Sequence, residues 1–421
     1  MTYNITRVSS LEILDSRARP TLQVQMELAD GTVAVAAVPS GASTGTREAV
    51  ELRDGDPSRY GGAGVLTAIA SVDGEIADRI CGKEWTELAD LDRALIDLDG
   101  TDNKQRLGAN AIVGVSMAAA KAMAAAAHQP LHRWLQPADT EPRIPVPHFN
   151  VINGGAHAQN PLDFQEFMLA PLGAPTFSEA LRAGVETYGA LRHLIHDRGM
   201  ATGLGDEGGF APDLTHPHQV LDLLVEAISL AGYRPGPDGL AIALDPAASE
   251  FHHDGAYWVA GEQLTSSAMI DLYRDLVDRY PIWSIEDGLA EDDWEGWQQL
   301  TDTLGDRVQL VGDDIFVTDP AIITEAVNRG VANAALIKVN QIGTVTETQE
   351  AIAVCRRAGY AQMISHRSGE TVDTFIADLA VASGCGQLKS GAPARGERVA
   401  KYNRLVEIED ATGISYGPGV G

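Results

Sequence analysis

Cysteines and long apolar runs are scarce in this sequence. Its 421 residues include only three cysteines, which lie far apart, at Cys81, Cys355 and Cys385. They form neither a zinc-type pair nor a disulfide framework, which fits a reducing cytoplasm. No run of about 18 apolar residues occurs, and the first residues contain no apolar signal core. We therefore expect a cytoplasmic protein without a membrane span.

Basic residues are also few. Lysine and arginine number 31 against 59 aspartates and glutamates, which gives a formal net charge of −28. This strongly negative charge argues against general binding to nucleic acid or to anionic membranes. Hydrophobic residues make up 44% of the chain, enough for a sizeable core, and this excludes a mainly disordered protein.

A proline-rich stretch predicts a domain boundary near Gln136. Five prolines occur between Pro130 and Pro147, a density typical of a linker. Residues 1–135 show alternating strand patterns around an Asp-Gly turn, and then an alanine-rich helix over 110–127. This order predicts an N-terminal α+β capping domain.

Residues 136–421 alternate short apolar strands with amphipathic helices. Such repeated βα units favour a parallel, TIM-like barrel, so the chain as a whole is predicted to be α/β. The predicted helices cover 265–280, 319–329, 346–358 and 370–382. The predicted strands are FQEFMLA, LAIALD, PIWSIED, VQLVGDD, AALIKVN, QMISHR and GQLKSG.

Six successive strands of this barrel end in chemically active residues. Because active sites of βα barrels lie at the carboxyl ends of the strands, these side chains are expected to converge on one mouth. The six residues are Asp245, Glu286, Asp313, Lys338, His366 and Lys389.

Three of these strand-end residues are carboxylates. Asp245, Glu286 and Asp313 would repel one another unless a cation lay among them. All three offer hard oxygen ligands, so Mg²⁺ fits best and Mn²⁺ next. Alternatively, each could simply cap the helix that follows its strand.

Lys338 follows an apolar strand, and two readings of it are open. It could extend out of the barrel through its aliphatic stem, or it could act as a base. A metal and Lys389 nearby would favour the second reading, because positive charges lower the pKa of an ammonium group.

Two further glutamates are candidates for acid chemistry on a leaving hydroxyl. Glu166 lies in the middle of the apolar strand FQEFMLA, and Glu207 lies in the glycine-rich loop GLGDEGGFAP. The alternative is a buried, hydrogen-bonded Glu166 and an ordinary loop acid at Glu207.

Several segments are suited to an anion or to a mobile loop. The sequence SHRSGE places His366, Arg367 and Ser368 in succession, and arginine can hold a phosphate with two hydrogen bonds. The loop PSGASTG (39–45) lacks the lysine of a Walker motif and is a weak signal alone. NGGAHAQN, around His157, is a similar loop.

The sequence resembles the enolase family over essentially its full length. The motifs that carry the resemblance occur in enolase order: VPSGASTG, NGGAHA, QEFM, GDEGGFAP, ALDPAASEF, SIEDGLAEDDWEGW, VGDD, IKVNQIGT, SHRSGET and KSGAPAR. The resemblance implies reversible, Mg²⁺-dependent dehydration of 2-phospho-D-glycerate to phosphoenolpyruvate in glycolysis, with two ions per active site. It also implies a small phosphorylated acid as the ligand and a homodimer or larger homo-oligomer.

The resemblance also implies a role for each site residue. Lys338 would remove the C2 proton, and Glu207, helped by Glu166, would protonate the C3 hydroxyl. Asp245, Glu286 and Asp313 would bind the first metal ion, and the backbone of Ser43 would help to bind the second. Lys389 would neutralise the substrate carboxylate, and Arg367 and Ser368 would bind the phosphate. His157 and His366 would close the pocket.

Nine positions depart from the family pattern, as expected of a divergent paralogue, and none of them has an implied catalytic role. They are Ala18, Arg19, Gln23, Ala63, Gln159, Pro161, Gly189, Val372 and Glu407. Gln23 and Glu407 replace a glutamate and an arginine that usually pair across the enolase dimer. Two alternatives follow, an enolase-like carboxyphosphonoenolpyruvate synthase of phosphonate metabolism and a catalytically silent binding protein on the same scaffold.

Overall fold

A computed structural model describes residues 1–41 and 45–418 of the chain. The N-terminal part contains an antiparallel sheet in the order β3-β2-β1-β4. Its strands are β1 (Tyr3–Leu14), β2 (Pro20–Leu28), β3 (Val33–Ala37) and β4 (Glu84–Trp85). The Asp-Gly turn predicted between β2 and β3 is present, and Gly31 adopts a φ of +87° that a side chain would oppose.

Helices cover this sheet, and the alanine-rich one forms its core. They are α1 (Leu66–Ser71), α2 (Ala77–Ile80), α3 (Leu88–Asp99), α4 (Ala109–Ala126) and α5 (Leu131–Trp134). Among the described residues, α4 alone is long and apolar enough to cross a membrane, with a mean hydropathy of 1.4. However, 83% of it is buried, and Gly114 lies against Val24 and Val38 of the sheet region, so α4 is a core helix.

The second part of the chain is a closed eight-stranded barrel in the order β11-β12-β13-β14-β15-β5-β6-β7. Its strands are β5 (Val146–Asn153), β6 (Glu166–Ala170), β7 (Ala241–Asp245), β11 (Ile282–Glu286), β12 (Gln309–Gly312), β13 (Ala334–Ile337), β14 (Ala361–Ser365) and β15 (Gln387–Lys389). A small antiparallel sheet follows β7, formed by β8 (His252–His253), β9 (Ala256–Val259) and β10 (Glu262–Leu264). The α/β class and the barrel are as predicted.

Strand β6 departs from the predicted parallel order. It pairs antiparallel with both β5 and β7, and Glu166 lies opposite Asn153 and Asp245. Glu166 is therefore the first residue of its strand, whereas the sequence placed it in the middle. Because β6 runs in reverse, its amino end lies at the mouth where the parallel strands have their carboxyl ends.

Strand β5 was missed by the sequence analysis. Its first residues, Val146 and Pro147, lie at the end of the proline-rich stretch, which was read as linker throughout. Pro147 is tolerated in the barrel at the start of the strand, where the loss of one amide donor costs little. The domain boundary predicted near Gln136 falls between Trp134, the end of α5, and Val146, and it stays a prediction.

The barrel helices surround the strands. They are α6 (Phe177–Asp197), α7 (Pro217–Leu230), α8 (Ser266–Arg279), α9 (Trp294–Leu304), α10 (Pro320–Arg329), α11 (Val339–Ile342), α12 (Val345–Ala358), α13 (Phe375–Ser383) and α14 (Gly396–Thr412). The helix predicted from residue 370 begins only at Phe375. Glu370 instead lies in a loop, where its carboxylate accepts a hydrogen bond from Lys401 Nζ at 2.7 Å.

Candidate active site

A narrow polar cavity opens at the mouth of the barrel. The predicted site residues that the structure describes line it, except Glu286, which lies buried beneath Lys389. The lining residues are His157, Gln165, Glu166, Glu207, Asp245, Ala247, Asp287, Asp313, Asp314, Lys338, Ser365, His366, Arg367, Ser368 and Lys389. Ser43, the remaining predicted residue, lies outside the described residues.

Lys389 is the charge centre of the cavity. Its Nζ atom lies 2.7 Å from both Asp245 Oδ2 and Glu286 Oε1, and 3.2 Å from Glu166 Oε1. Burial alone would lower the pKa of Lys389, but Asp245 and the two glutamates raise it well above its ordinary value. Lys389 therefore carries a full positive charge at neutral pH.

Lys338 forms a direct ion pair with Asp313 Oδ2. Burial lowers the pKa of Lys338, but the charge of Asp313 outweighs burial, and the pKa lies above its ordinary value. The direction is opposite to the one expected from the sequence, which assumed a metal beside Lys338 and did not foresee this ion pair. Before Lys338 can act as a base, its ammonium group must leave Asp313.

The three carboxylates predicted to bind a metal lie at the ends of the neighbouring strands β7, β11 and β12. Lysine ammonium groups neutralise them, Lys389 on Asp245 and Glu286 and Lys338 on Asp313. Among the described residues, the acidic group whose oxygens lie within 4.8 Å of one another is Asp287, Asp313 and Asp314. Of the predicted set, only Asp313 belongs to it.

The predicted carboxylates nevertheless suit a hard cation. Glu286 Oε2 is buried and has no hydrogen-bond partner within the described part of the chain. A buried carboxylate oxygen without a partner is costly, and a cation among the three carboxylates would satisfy it. All the donors are oxygens, as Mg²⁺ prefers.

Glu166 and Glu207 lie close together in the cavity, with side-chain atoms within 4.8 Å of one another and of His157. His157 Nδ1 lies between them, 3.5 Å from Glu166 Oε1 and 3.7 Å from Glu207 Oε1. Burial and the charge of Glu207 raise the pKa of Glu166 well above its ordinary value. Burial would do the same to Glu207, but His366 and His157 lower its pKa well below the ordinary value. The two shifts are opposite in direction, because burial disfavours the charged form of Glu166 and the two histidines favour the charged form of Glu207.

Arg367 makes two hydrogen bonds to a carboxylate that the sequence analysis missed. Its Nη1 and Nη2 atoms lie 3.0 and 3.1 Å from the oxygens of Glu48, and Nη1 also donates to Asn340 Oδ1 at 3.1 Å. Glu48 follows the PSGASTG loop by three residues. No local sequence signal identified Glu48, because it lies 319 positions from Arg367 and only the fold brings the two together.

Other missed residues support the predicted ones from behind. Gln341 Nε2 donates to Asp313 Oδ1 at 2.9 Å, and Asp287 accepts hydrogen bonds from the amides of Asp313 and Asp314. Arg398 contacts the His366–Ser368 segment from α14. No local sequence signal distinguishes these residues, because their partners lie far away in the chain.

Known proteins match this chain along nearly its whole length. The family model for the enolase N-terminal domain matches residues 5–135, and that for the enolase C-terminal TIM barrel domain matches residues 141–416. A protein named enolase from Acidothermus cellulolyticus is 58% identical over 406 residues, covering 96% of this chain and 94% of the relative.

Two further relatives match equally broadly. An enolase from Rubrobacter xylanophilus is 56% identical and covers 99% of this chain and 97% of its own length. Enolase 1 from Methylococcus capsulatus is 55% identical and covers 98% of each chain. With both domain models and full-length relatives above half identity, this chain belongs to the enolase family.

Proposed function

We propose that this protein is a phosphopyruvate hydratase, a carbon–oxygen lyase that reversibly dehydrates 2-phospho-D-glycerate to phosphoenolpyruvate. The observation that carries the proposal is the presence of a candidate base and a candidate acid in one cavity. Lys338 pairs with Asp313, Glu207 lies beside His157 and His366, and Lys389 pairs with Asp245, Glu286 and Glu166. Removal of a proton and a hydroxyl from one substrate requires both a base and an acid within its reach.

On the base side, Lys338 would take the proton from C2. That proton is very weakly acidic, so the carboxylate next to it must be neutralised as negative charge develops. Lys389, which keeps its positive charge, would lie against that carboxylate. Lys338 becomes a base only after its ammonium group has left Asp313 and lost its proton.

Asp245, Glu286 and Asp313 would hold Mg²⁺. A bound Mg²⁺ supplies positive charge that stabilises the enolate developing on the substrate. Two ions per site, the second held with the backbone of Ser43, are proposed from the family resemblance alone, since Ser43 lies outside the described residues.

On the acid side, Glu207 would protonate the departing C3 hydroxyl. Glu207 must first receive a proton, because its own pKa is low. Glu166, whose pKa is raised, would supply that proton, and His157 lies within 3.7 Å of both carboxylates. Arg367 and Ser368 would bind the phosphate, with Glu48 sharing the guanidinium of Arg367.

A Glu207→Gln variant should lose hydroxyl departure but keep proton removal. Glutamine cannot donate an acidic proton, whereas Lys338 is untouched, so C2 hydrogen should still exchange with solvent deuterium. NMR of recovered 2-phospho-D-glycerate measures the exchange. Glu347→Gln, which alters an ion pair with Lys104 outside the cavity, is the control and should dehydrate normally. Normal substrate binding without exchange in Glu207→Gln would contradict separate acid and base roles.

The alternatives expected from the sequence have less support. Relatives named enolase, 55–58% identical over nearly the whole chain, favour 2-phospho-D-glycerate over a phosphonate substrate. A silent scaffold would be expected to lack a lysine or a metal carboxylate, and the chain has them all. Purified protein with Mg²⁺ and 2-phospho-D-glycerate should produce phosphoenolpyruvate absorbance, and failure to do so would overturn the proposal.

We include a homo-oligomer and a cytoplasmic location in the proposal. The N-terminal sheet exposes Leu11, Leu14 and Val33, each by more than half, which leaves apolar surface available to a second copy. The loss of the usual pair at Gln23 and Glu407 means that such an interface would rely on apolar contact. Analytical ultracentrifugation should show a dimer or larger species that persists at high salt.

A further inference from the structure

Arg398 is an arginine with no exposed surface, located near the start of α14. Its guanidinium contacts three successive residues of the predicted substrate site. Nη1 lies 2.6 Å from His366 Nδ1 and donates to the carbonyl of Arg367 at 2.6 Å, and Nη2 donates to the carbonyl of Ser368 at 2.6 Å.

The contact with His366 determines which ring nitrogen carries a proton. A guanidinium group only donates hydrogen bonds and keeps its charge at neutral pH. Nδ1 of His366 must therefore accept, and a neutral ring must carry its hydrogen on Nε2. Burial lowers the pKa of His366 to about 4, so the ring is neutral at pH 7.

The Nε2 atom of His366 faces Glu207. It lies 3.2 Å from Glu207 Oε2, without the alignment of a hydrogen bond. Asn150 Nδ2 donates to the same oxygen at 3.0 Å. With hydrogen on Nε2, both neighbours of that oxygen are donors. With the other tautomer, a lone pair would face Glu207 and could accept the proton intended for the leaving hydroxyl.

The geometry points to Arg398 as a positioning residue that fixes the His366 proton on Nε2, so that His366 donates toward Glu207 and does not take its proton. The inference rests on the proposed function, because Glu207 is the acid of that reaction. Arg398 does not line the cavity, so it acts through His366.

Arg395, three residues earlier, provides a matched control. It too donates to backbone carbonyls at the mouth, those of Ser16, Gly205 and Asp206, at distances of 2.8–3.2 Å. No contact with His366 is present among its described interactions. Arg395→Lys therefore tests the loss of a guanidinium that holds this region without reaching the imidazole.

The first experiment needs no substitution. NMR of the ¹⁵N-labelled wild-type protein at pH 7, with His366 assigned by comparison with His366→Gln, should show a protonated Nε2 and an unprotonated Nδ1. A proton on Nδ1 would overturn the inference. This result does not depend on activity, so it stays decisive even if 2-phospho-D-glycerate is not the substrate.

The second experiment separates positioning from folding. The Arg398 guanidinium has five acceptors, because Nη2 also donates to the carbonyl of Asp206 at 3.2 Å and to Ser16 Oγ at 3.4 Å. A lysine is a point charge that cannot hold all five, so Arg398→Lys should lower kcat for dehydration by about 10- to 100-fold, as is typical when a supporting partner of a site residue is lost. Exchange of the C2 hydrogen should stay near the wild-type rate, because Lys338 is unaffected. Arg395→Lys should leave kcat near wild type.

Other outcomes of the second experiment have definite meanings. Equal loss of dehydration and exchange in Arg398→Lys, or the same loss in Arg395→Lys, would show a purely structural role and overturn the inference. If Arg398→Lys does not fold, the wild-type tautomer measurement decides. If the wild-type protein carries the Nε2 tautomer but does not dehydrate 2-phospho-D-glycerate, the proposed function is overturned, while the control of the His366 tautomer by Arg398 stands.

Discussion

Replacing Lys338 by alanine should reduce turnover by at least about 10²–10⁴-fold, the usual contribution of a positioned general base. The described cavity offers no other base at that position, because Lys389 is held positive by Asp245 and Glu286. Substrate binding should fall far less, since Arg367 and Lys389 remain for the two anionic ends. Steady-state kinetics and C2 deuterium exchange measure the two effects, and exchange should vanish.

Two companion variants make the Lys338 result specific. Lys338→Arg should be nearly as inactive, because guanidinium does not release its proton at neutral pH. Lys121→Ala, which breaks a 2.6 Å ion pair with Asp373 outside the cavity, should retain wild-type turnover. Wild-type exchange of the C2 hydrogen in Lys338→Ala would refute the proposed mechanism.

Removal of divalent cations should abolish activity, and Mg²⁺ should restore it. Mg²⁺ bound by Asp313 would compete with Lys338 for that carboxylate, so removal of the ion would leave Lys338 paired with Asp313. Because Mg²⁺ binds the native state preferentially, a concentration 100 times its Kd should stabilise the fold by about 2.7 kcal/mol. Activity after EDTA treatment and the melting temperature measure the two effects.

Asp313→Ala tests the location of the metal. Calorimetry should show much weaker Mg²⁺ binding, since one of three anionic ligands is lost. Asp302→Ala, an exposed position on α9, is the control and should bind normally. Unchanged affinity in Asp313→Ala would mean that the ion lies elsewhere among the acidic residues of the cavity.

The fold was predictable where the sequence carries periodic patterns. The strands that precede Asp245, Glu286 and Asp313 are short apolar runs between amphipathic helices, and each lies where predicted. Strand β5 was not predicted, because its first residues lie in a proline-rich stretch. The reversal of β6 was not predictable, because an apolar strand buried on both faces has the same pattern in either direction.

The convergence of the candidate residues on one cavity was predictable where they follow strands, and less so where partners come from elsewhere. Lys338 and Lys389 were predicted from their positions after apolar runs and both line the cavity, while their roles stay predictions. Their pairing with carboxylates was not foreseen, because the sequence analysis placed a metal there. Glu48 and Arg398 come from the N-terminal part and from the last helix, so only the three-dimensional fold brings them to Arg367 and His366.

The reversed strand β6 has a consequence for how the chemistry is distributed along the chain. Its amino end reaches the mouth, so Glu166 and Glu207, the two glutamates proposed as the acid group, come with His157 from one continuous stretch of chain. The proposed base Lys338 and its counter-charges come from the next stretch, between Asp245 and Lys389. The two stretches still depend on each other, because Lys389 pairs with Glu166 and His366 faces Glu207. A substitution that removed Lys389 or His366 from the second stretch would therefore alter the proposed acids as well as the surroundings of the proposed base.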